Sequence, residues 1–282
     1  MKLVKFSQGG RNAEGVLVGD EVRMVGGWRD GPGDQAPFEL SRAAPQAVPG
    51  LLASSTLSLP LADVKLELPI DPRNKIICIA LNYGEHVAEG GREAPKQPNL
   101  FLRHIDSLVG PADPLVAASA SETYDFEGEI ALVIGKVGRN IPKAAALDHV
   151  AGYSCFMDGS VREFQQQHSM TAGKNFWRSG SMGPWISTAD EVEDPRAVTL
   201  ATRLNGEVVQ SATASEMIFD IPSILAYCSI WMQLNPGDVI ATGTPSGVGR
   251  FRKPPLWLKP GDRLEIEVGS VGVLSNGVIA QD

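Results

Sequence analysis

The 282-residue sequence predicts a mixed α/β, β-rich fold with a small N-terminal module (residues 1–70) and a larger domain (residues 71–282). Three observations support this prediction. Glycine and proline number 30 and 20, so turns are frequent and short strands are favoured over long helices. Short apolar or alternating segments recur along the chain. A stretch rich in Gly, Pro and Ala, residues 26–49, separates the first strands from the stronger strand signals that begin near residue 75.

The predicted elements follow from these segments in chain order. Alternating or continuously apolar runs predict strands, and they occur at residues 2–6, 15–18, 76–81, 126–134, 152–157, 198–204, 239–241 and 263–268. Helical spacing predicts helices at residues 40–52, 83–89, 143–150 and 218–234. The last of these has Pro222 near its start and Pro236-Gly237 just after its end, as helices favour. No regular βαβ alternation with a glycine-rich nucleotide loop is present.

Composition and charge limit the binding partners and the cellular location that we expect for this protein. With 25 basic and 33 acidic residues the net charge is −8, which argues against nucleic acid or an anionic membrane surface as the main partner. No apolar run approaches the roughly 18 residues that cross a bilayer. The first ten residues lack the apolar stretch of a secretory signal, and the three cysteines are far apart. We therefore expect a cytoplasmic protein with reduced thiols.

Two glutamates form the first candidate site. Glu127 and Glu129 are two residues apart in a predicted strand, so both side chains point to the same face. Converging carboxylates repel one another unless a cation or protons intervene. Carboxylate oxygens suit Mg²⁺, Mn²⁺ or Ca²⁺ better than Zn²⁺. The pair therefore indicates a metal site, and an exposed strand face is the alternative.

Asp158 ends an apolar strand and is followed by Arg162 and Gln165. If a helix begins after Asp158, the three side chains line one side of it. Asp158 is then a candidate third metal ligand, and Arg162 can hold a substrate carboxylate in a bidentate arrangement. The alternative interpretation is a helix-capping aspartate that forms an i,i+4 ion pair with Arg162.

His86 and Glu89 lie three apart in a predicted helix and are therefore neighbours on its surface. A carboxylate next to an imidazole raises its basicity and fixes its tautomer, as a general base requires. A solvent-exposed pair is the alternative. Lys174 lies in a glycine-flanked segment beside aromatic residues and is a candidate for stabilising an oxyanion, with a surface lysine as the default interpretation.

The loop at residues 237–249 is dense in glycine and hydroxyl residues, which suits either an anion or a tight structural turn. Four motifs occur in a specific order: LNYxxHxxE from Leu81, DFEGEIALVIGK from Asp125, MDxxxR from Met157 and GDVIATGTPxGVG from Gly237. In this combination, residues 71–282 resemble the fumarylacetoacetate hydrolase family, and among its members the bacterial acylpyruvases and diketo-acid hydrolases.

The resemblance implies a fold of rolled mixed β-sheets, a homodimer and a metal-dependent active site. It implies that Mg²⁺ or Mn²⁺, with Ca²⁺ as a substitute, is bound by three carboxylates, Glu127, Glu129 and Asp158. His86 and Glu89 match the pair that activates water, and Lys174 matches the group that stabilises the oxyanion. The residues that match substrate-binding positions are Arg162, Gln165, Thr244, Asn82 and Tyr83.

The implied reaction is hydrolysis of a C–C bond in a 2,4-dioxo acid, such as an acylpyruvate, to pyruvate or another 2-oxo acid plus a carboxylic acid. Such reactions belong to the catabolism of aromatic or sugar acids. The alternative is a decarboxylase or isomerase that acts on a 2-oxo or 2-hydroxydienoic acid. Two residues depart from the family pattern: Trp177 replaces a common aspartate, and Arg103 replaces a common lysine. We expect both to reshape the substrate pocket.

Overall fold

The computed structural model describes residues 1–31, 36–43, 45–55 and 57–281. Strands dominate these residues, and the helices are short. The strands are β1 (Lys2–Gln8), β2 (Arg11–Val18), β3 (Glu21–Asp30), β4 (Ser58–Pro60), β5 (Lys65–Leu66), β6 (Ile76–Ala80), β7 (Asn99–Arg103), β8 (Leu108–Val109), β9 (Leu115–Ala117), β10 (Tyr124–Asp125), β11 (Gly128–Ile134), β12 (Val150–Met157), β13 (Ser160–Val161), β14 (Gly180–Thr188), β15 (Thr199–Leu204), β16 (Glu207–Thr213), β17 (Val239–Ala241), β18 (Arg263–Val268) and β19 (Gly272–Ala280).

The α-helices are α1 (Val48–Ala53), α2 (Gly84–Glu89), α3 (Arg162–Gln167), α4 (Met170–Lys174) and α5 (Ile221–Trp231). Short 3₁₀ helices cover Glu39–Arg42, Pro45–Ala47, Leu61–Asp63, Ile105–Ser107, Lys143–His149, Ala189–Glu191, Ala214–Glu216 and Gly249–Phe251. In the part of the chain that the structure describes, no helix is long and apolar enough to cross a membrane.

Two mixed sheets form the body of the protein. The larger sheet has the strand order β4-β3-β2-β1-β14-β12-β11-β17-β6-β7, with β5 paired to β1 and β8 paired to β14. The smaller sheet has the order β16-β15-β18-β19-β9, and β10 pairs with β13. Most neighbours are antiparallel, but three pairs are parallel: β6 with β17, β8 with β14 and β9 with β19. This architecture confirms the predicted mixed α/β, β-rich fold.

The central strands are covered on both faces, which explains their continuously apolar sequences. Ile130, Leu132 and Ile134 of β11 lie in a core shared with the smaller sheet and α5. The alternate residues Ala131 and Val133 lie in a second core on the opposite face. A strand that is buried on both faces has no reason to alternate polar and apolar residues.

The N-terminal strands extend the larger sheet. β1 pairs with β14 through Lys2–Ser187 and Leu3–Ile186, and with β2 along its whole length. Residues between β3 and β6, including Phe38, Leu40 and Leu68, cover the second core. The β1–β3 strands also have a small core of their own, made of Val4, Phe6, Ala13, Leu17, Val22 and Met24. The domain boundary at residue 70 stays a prediction.

Several elements differ from the sequence expectation. The strand predicted from residue 126 begins at Gly128, and the helix predicted at residues 143–150 is a 3₁₀ helix. The predicted helix at residues 40–52 is divided into two short 3₁₀ helices followed by α1 (Val48–Ala53), and residue 44 lies outside the described residues. Helix α5 begins only after Asp220, whose side chain accepts a hydrogen bond from the Ser223 amide, and it ends at Trp231 because the next residue is extended.

The sequence patterns missed the short strands of two or three residues other than β17, and they also missed five longer strands: β3, β7, β14, β16 and β19. Strand β14 has the sequence GSMGPWIST, whose glycines and proline indicate a loop, yet it is almost completely buried between β12 and β1. Pairing with two neighbours, rather than local propensity, makes this segment a strand.

A substitution at Gly152 tests how closely strands β12 and β14 pack. An added Cβ at this position would lie 2.2 Å from the Ser187 carbonyl oxygen and 2.8 Å from Ile186 Cγ2. We expect Gly152→Ala to lower the free energy of unfolding by about 1–3 kcal/mol, because strand β14 must move. Gly277→Ala is the matched control in β19, where a Cβ would meet nothing within 4 Å. Urea unfolding curves followed by circular dichroism measure both variants, and equal stability of the two would contradict the packing argument.

Candidate functional site

The site lies where the ends of four central strands meet. Strands β11 and β12 pair Gly128 with Met157, so Glu127 and Asp158 lie side by side, and the Asp158 amide donates to the Glu127 carbonyl at 2.8 Å. On the other side of β11, strand β17 ends at Ala241 and leads to Gly243. Strand β6 runs parallel to β17 and leads into α2, which carries His86. The sheet pairing therefore gathers segments from four distant parts of the sequence.

Three buried carboxylates form the centre of the site. Glu127, Glu129 and Asp158 each present an oxygen within 4.8 Å of the other two. Their exposed fractions are 5%, 1% and 1%, so the alternative of a solvent-exposed strand face is wrong. Glu127 lies just before β11 rather than within it, but its carboxylate still converges with that of Glu129.

Basic side chains compensate two of the three carboxylates. Lys174 Nζ lies 2.6 Å from Glu127 Oε2 and 2.5 Å from Asp158 Oδ2, and it also donates to the Asp158 carbonyl at 3.3 Å. Arg103 Nη1 lies 2.7 Å from Asp158 Oδ1. Burial alone would lower the pKa of Lys174, but Asp158 and Glu127 outweigh burial and raise it. Lys174 is therefore a buried, charged residue and not a surface lysine.

Glu129 is the carboxylate without an ion pair among the described residues. It accepts a hydrogen bond from the Gly243 amide at 2.8 Å. Gly243 has a φ of +102°, which a residue with a side chain rarely adopts. Burial and the charges of Asp158 and Glu127 raise the pKa of Glu129 well above its ordinary value. A buried carboxylate that faces two others and lacks a cation fits a divalent metal ion, for which hard oxygen donors are the preferred ligands.

Arg162 is the first residue of α3 and pairs with Asp125 and Glu127. Its Nε lies 2.8 Å from Asp125 Oδ2, and its Nη2 lies 2.5 Å from Glu127 Oε1. Gln165 accepts from Arg162 Nη1 at 3.0 Å. Because α3 begins only at Arg162, Asp158 does not cap a helix, and it contacts Arg103 and Lys174 instead. The alternative of a capping aspartate paired with Arg162 is wrong.

Asp125 is an important residue that the sequence reasoning missed. It is fully buried and accepts hydrogen bonds from the amides of Gly249 at 2.7 Å and Arg250 at 3.1 Å, besides its ion pair with Arg162. It therefore holds the end of the glycine-rich loop against the arginine of α3. The signal that could have found Asp125 is its place at the start of the DFEGE motif.

The predicted His86–Glu89 pair is present and shielded from solvent. His86 Nδ1 lies 2.7 Å from Glu89 Oε1, and His86 is 7% exposed. The other Glu89 oxygen accepts from the Gly247 amide at 3.0 Å, which ties α2 to the glycine-rich loop. The interpretation as an exposed surface pair is wrong.

The remaining predicted binding residues have structural partners. Thr244 lines the cavity, donates to the Gly128 carbonyl and accepts from Gln210, both through its hydroxyl. Asn82 is fully buried and bridges Phe219 and Thr242 through its side-chain amide. Tyr83 is buried, and burial followed by the charge of Glu129 raises the pKa of its hydroxyl. The roles of Asn82 and Tyr83 in substrate binding stay predictions, because the structure places neither in the wall of this cavity.

A cavity opens in front of the carboxylates. His86, Glu127, Asp158, Arg162, Gln165 and Lys174 all line it. Sequence reasoning did not anticipate the other side chains in its wall, notably Arg92, Phe101, Met170, Arg250 and Phe251.

The two departures from the family pattern lie outside this wall. Trp177 is 59% exposed and lies against Arg178. Arg103 lies behind Asp158, where it also contacts Ser107 and Ser179. The expected reshaping of the pocket by these two residues is therefore not observed.

Comparison with known proteins gives a consistent result. A family model described as "Fumarylacetoacetate (FAA) hydrolase C-terminal" matches residues 75–279. The mitochondrial oxaloacetate tautomerase fahd2 of Xenopus laevis is 39% identical over 245 residues, which are 86% of this chain and 77% of the relative.

Two solved structures extend the comparison. Maleylpyruvate hydrolase from Sphingobium sp. SYK-6, in complex with manganese(II) ion and pyruvate, is 31% identical and superimposes with a TM-score of 0.81 over the full length of both chains. The 2-hydroxyhepta-2,4-diene-1,7-dioate isomerase from Mycobacterium marinum is 30% identical with a TM-score of 0.79, covering 100% of this chain and 99% of that one.

Metal binding by the three buried carboxylates can be tested by titration calorimetry with Mn²⁺. Glu127→Gln, Glu129→Gln and Asp158→Asn should each weaken binding by more than the about 10–100-fold typical of a group that only supports a ligand. Glu193→Gln, an exposed glutamate away from the cavity, is the control and should bind as the native protein does. Native affinity in two of the three site variants would contradict the metal site.

The contribution of the Arg103–Asp158 ion pair can be tested by measuring the stability of a variant. Arg103→Met leaves one oxygen of the buried Asp158 without its cation, so the free energy of unfolding should fall by about 3–5 kcal/mol. Arg263→Met, at an arginine whose side chain is 69% exposed, should change it by less than about 0.5 kcal/mol. Urea unfolding in the presence of EDTA makes the comparison, and an unchanged Arg103→Met variant would show that Asp158 does not depend on this ion pair.

Proposed function

Because the chain belongs to the fumarylacetoacetate hydrolase family, we propose that it is a divalent-metal-dependent enzyme that transfers a proton on a 2-oxo acid. The reaction interconverts keto and enol forms or moves a double bond. The observation that carries the proposal is the His86–Glu89 hydrogen bond of 2.7 Å, on a helix that places His86 in the wall of a cavity shared with Glu127 and Asp158.

Glu127, Glu129 and Asp158 are the residues that would hold the ion, and Mg²⁺ or Mn²⁺ suits their oxygens. The manganese ion in the structure of maleylpyruvate hydrolase from Sphingobium supports this choice, and Ca²⁺ is a chemically reasonable substitute. Such an ion polarises the 2-oxo group, which makes the neighbouring C–H group more acidic.

His86 is the proposed base. With Nδ1–H donating to the Glu89 carboxylate, Nε2 is the ring nitrogen that can accept a proton, on a residue that lines the cavity. Nε2 takes a proton from the carbon next to the 2-oxo group. It returns the proton to that carbon in tautomerisation, or to a carbon further along a conjugated chain in isomerisation. Glu89 stabilises the imidazolium that exists between the two transfers.

Arg162 and Gln165 are proposed to bind the oxo-acid end of the substrate together with Thr244, and all three line the cavity. Arg162 keeps its charge, because Glu127 and Asp125 outweigh the effect of burial and raise its pKa. Lys174 directs its three N–H donors to Glu127 and Asp158. We propose that Lys174 holds these carboxylates in place through these contacts. The 39% identity to an oxaloacetate tautomerase supports proton transfer as the first candidate.

Hydrolysis of a C–C bond in a 2,4-dioxo acid is the second candidate. The same His86–Glu89 pair has the arrangement needed to take a proton from water. The similarity to maleylpyruvate hydrolase also favours this reaction. Decarboxylation of an oxaloacetate-like acid requires no water activation and is the third outcome that the assay below distinguishes.

The homodimer, the absence of nucleic-acid and membrane partners and the cytoplasmic location stay predictions from the sequence. The Xenopus laevis relative is a mitochondrial protein, so the location of this protein is a property to be measured.

The activity test uses purified protein with Mn²⁺. Oxaloacetate enol is followed by its absorbance and by CO₂ release, and acetylpyruvate and fumarylpyruvate are followed by pyruvate release. We expect EDTA-sensitive loss of enol absorbance, faster than with Mn²⁺ alone and without stoichiometric CO₂. His86→Asn should lower this rate about 10²–10⁴-fold and leave the Mn²⁺ affinity unchanged.

His104→Asn is the matched control, because His104 is exposed and away from the cavity wall. Metal-dependent release of pyruvate and an organic acid, with little tautomerisation, would replace the first candidate with hydrolysis. A native tautomerisation rate in His86→Asn would remove His86 as the base.

A further inference from the structure

Gln210 connects the smaller sheet to the carboxylate site, and the proposed chemistry does not use it. Gln210 lies on β16 and is 2% exposed. Its Oε1 accepts a hydrogen bond from the Gly128 amide at 2.9 Å. Its Nε2 donates to Thr244 Oγ1 at 2.8 Å and to the Pro245 carbonyl at 3.0 Å. One buried amide therefore contacts both the start of β11 and the glycine-rich loop.

An irregularity in strand pairing accompanies the burial of this side chain. Thr202 of β15 pairs with Gln210, but the next residue, Arg203, pairs with Val208. Val209 is therefore an extra residue in β16, as in a β-bulge. Val209 and Gln210 are consecutive and both buried, which departs from the alternation of a regular strand. A bulge of this kind redirects a side chain, and here it accounts for a buried amide on an edge strand.

The backbone that Gln210 holds lies between two of the three carboxylates. Gly128 separates Glu127 from Glu129 in the sequence. An added Cβ on Gly128 would lie 2.1 Å from Thr202 Oγ1 and 3.4 Å from Gln210 Oε1, so this face of Gly128 is turned towards the smaller sheet. Side chains alternate along a strand, so Gly128 is held from the face opposite to the Glu129 carboxylate.

The hydrogen bonds around Gly128 form a closed ring with a fixed direction. The Gly128 amide can only donate and the Pro245 carbonyl can only accept, which determines where Oε1 and Nε2 of Gln210 lie. The Thr244 hydroxyl then accepts from Nε2 and donates to the Gly128 carbonyl at 2.9 Å. The ring therefore requires one acceptor and one donor on the same side chain, which an amide provides.

We propose that Gln210 is a positioning residue for the reaction. It fixes the backbone between Glu127 and Glu129 relative to the Thr244 hydroxyl, which lines the cavity. Gln210 is not itself in the cavity wall, so it acts through these residues and not on the substrate. The inference rests on the proposed function for the roles of the carboxylates and of Thr244, but its effect on metal binding is measurable without a substrate.

The first test replaces Gln210 with methionine, which has a similar length but no amide. Titration calorimetry should show that Gln210→Met binds Mn²⁺ about 10–100-fold more weakly than the native protein, the range for a group that supports a metal ligand. At saturating Mn²⁺ the KM for oxaloacetate enol should rise about 10-fold, the equivalent of one lost hydrogen bond. The kcat should fall by less, because no contact of the His86–Glu89 pair is removed.

A double-mutant cycle tests the link to Thr244. Thr244→Val should raise the KM as well, because it removes the hydroxyl through which Gln210 acts. Adding Gln210→Met to Thr244→Val should raise the KM little further, since both changes break the same hydrogen bond. Additive changes in KM would show that Gln210 does not act through Thr244.

Thr202→Val is the matched control for packing. Thr202 contacts the same face of Gly128, and its buried hydroxyl has no hydrogen-bond partner among the residues that the structure describes. This variant keeps the shape of the side chain and should keep the native Mn²⁺ affinity and KM. Gln210→Asn keeps an amide that is one methylene shorter, and it should also weaken Mn²⁺ binding if Gln210→Met does not fold.

The outcomes separate this inference from the proposed function. Native Mn²⁺ affinity in the folded Gln210 variants, or an equal loss of affinity in Thr202→Val, would overturn the positioning role and leave the proposed function intact. Absence of Mn²⁺ binding or of turnover in the native protein would instead overturn the proposed function.

Discussion

The electrostatic repulsion among three buried carboxylates is the constraint around which the rest of this structure is arranged. Glu127, Glu129 and Asp158 lie with oxygens within 4.8 Å of one another, away from solvent. Removing such charges from water costs several kcal/mol per ion, so the fold must supply compensating charge. Lys174 and two arginines, Arg103 and Arg162, do so, and each comes from a different segment. The compensation is incomplete at Glu129, and this deficit is what a divalent cation would satisfy.

Strand pairing in the larger sheet determines where these charged groups lie. Antiparallel pairing of β11 with β12 and β17 brings Glu127, Asp158 and Gly243 to one end of the sheet, and β6 brings α2 to the same end. Asp125 and Glu89 then attach the glycine-rich loop to α3 and α2 through backbone amides. The residues proposed to bind the metal therefore lie at strand ends. Loops that are held by the buried carboxylates form part of the wall of the cavity. A site supported in this way keeps its geometry when the substrate changes, which suits a family whose members carry out different reactions on similar acids.

The sequence predicts most of the central strands and the members of the site, because both are encoded locally. The continuous apolar run of β11 and the DFEGE motif are visible without a structure, and the motif order indicates which carboxylates converge. What is not visible is long-range pairing. Strand β14 contains Gly183 and Pro184 and becomes a strand only between β12 and β1. Arg103 is a departure from a family pattern in sequence, but in space it is the partner of Asp158, 55 residues later in the chain. Asp125 shows its importance only when the loop amides lie against it.

The pairing of β1 with β14 also has a consequence for how the molecule is made. Lys2 and Leu3 pair with Ser187 and Ile186, so this end of β1 has no strand partner on that side until a segment more than 180 residues later in the chain has been synthesised. Until then this end of the edge is unpaired and is a template for incorrect pairing, although Phe6 and Ser7 can pair earlier with Leu66 and Lys65 of β5. Contacts between such distant positions raise the contact order and slow folding. The pairing that joins β1 to the centre of the larger sheet therefore forms late, after most of the chain has been synthesised.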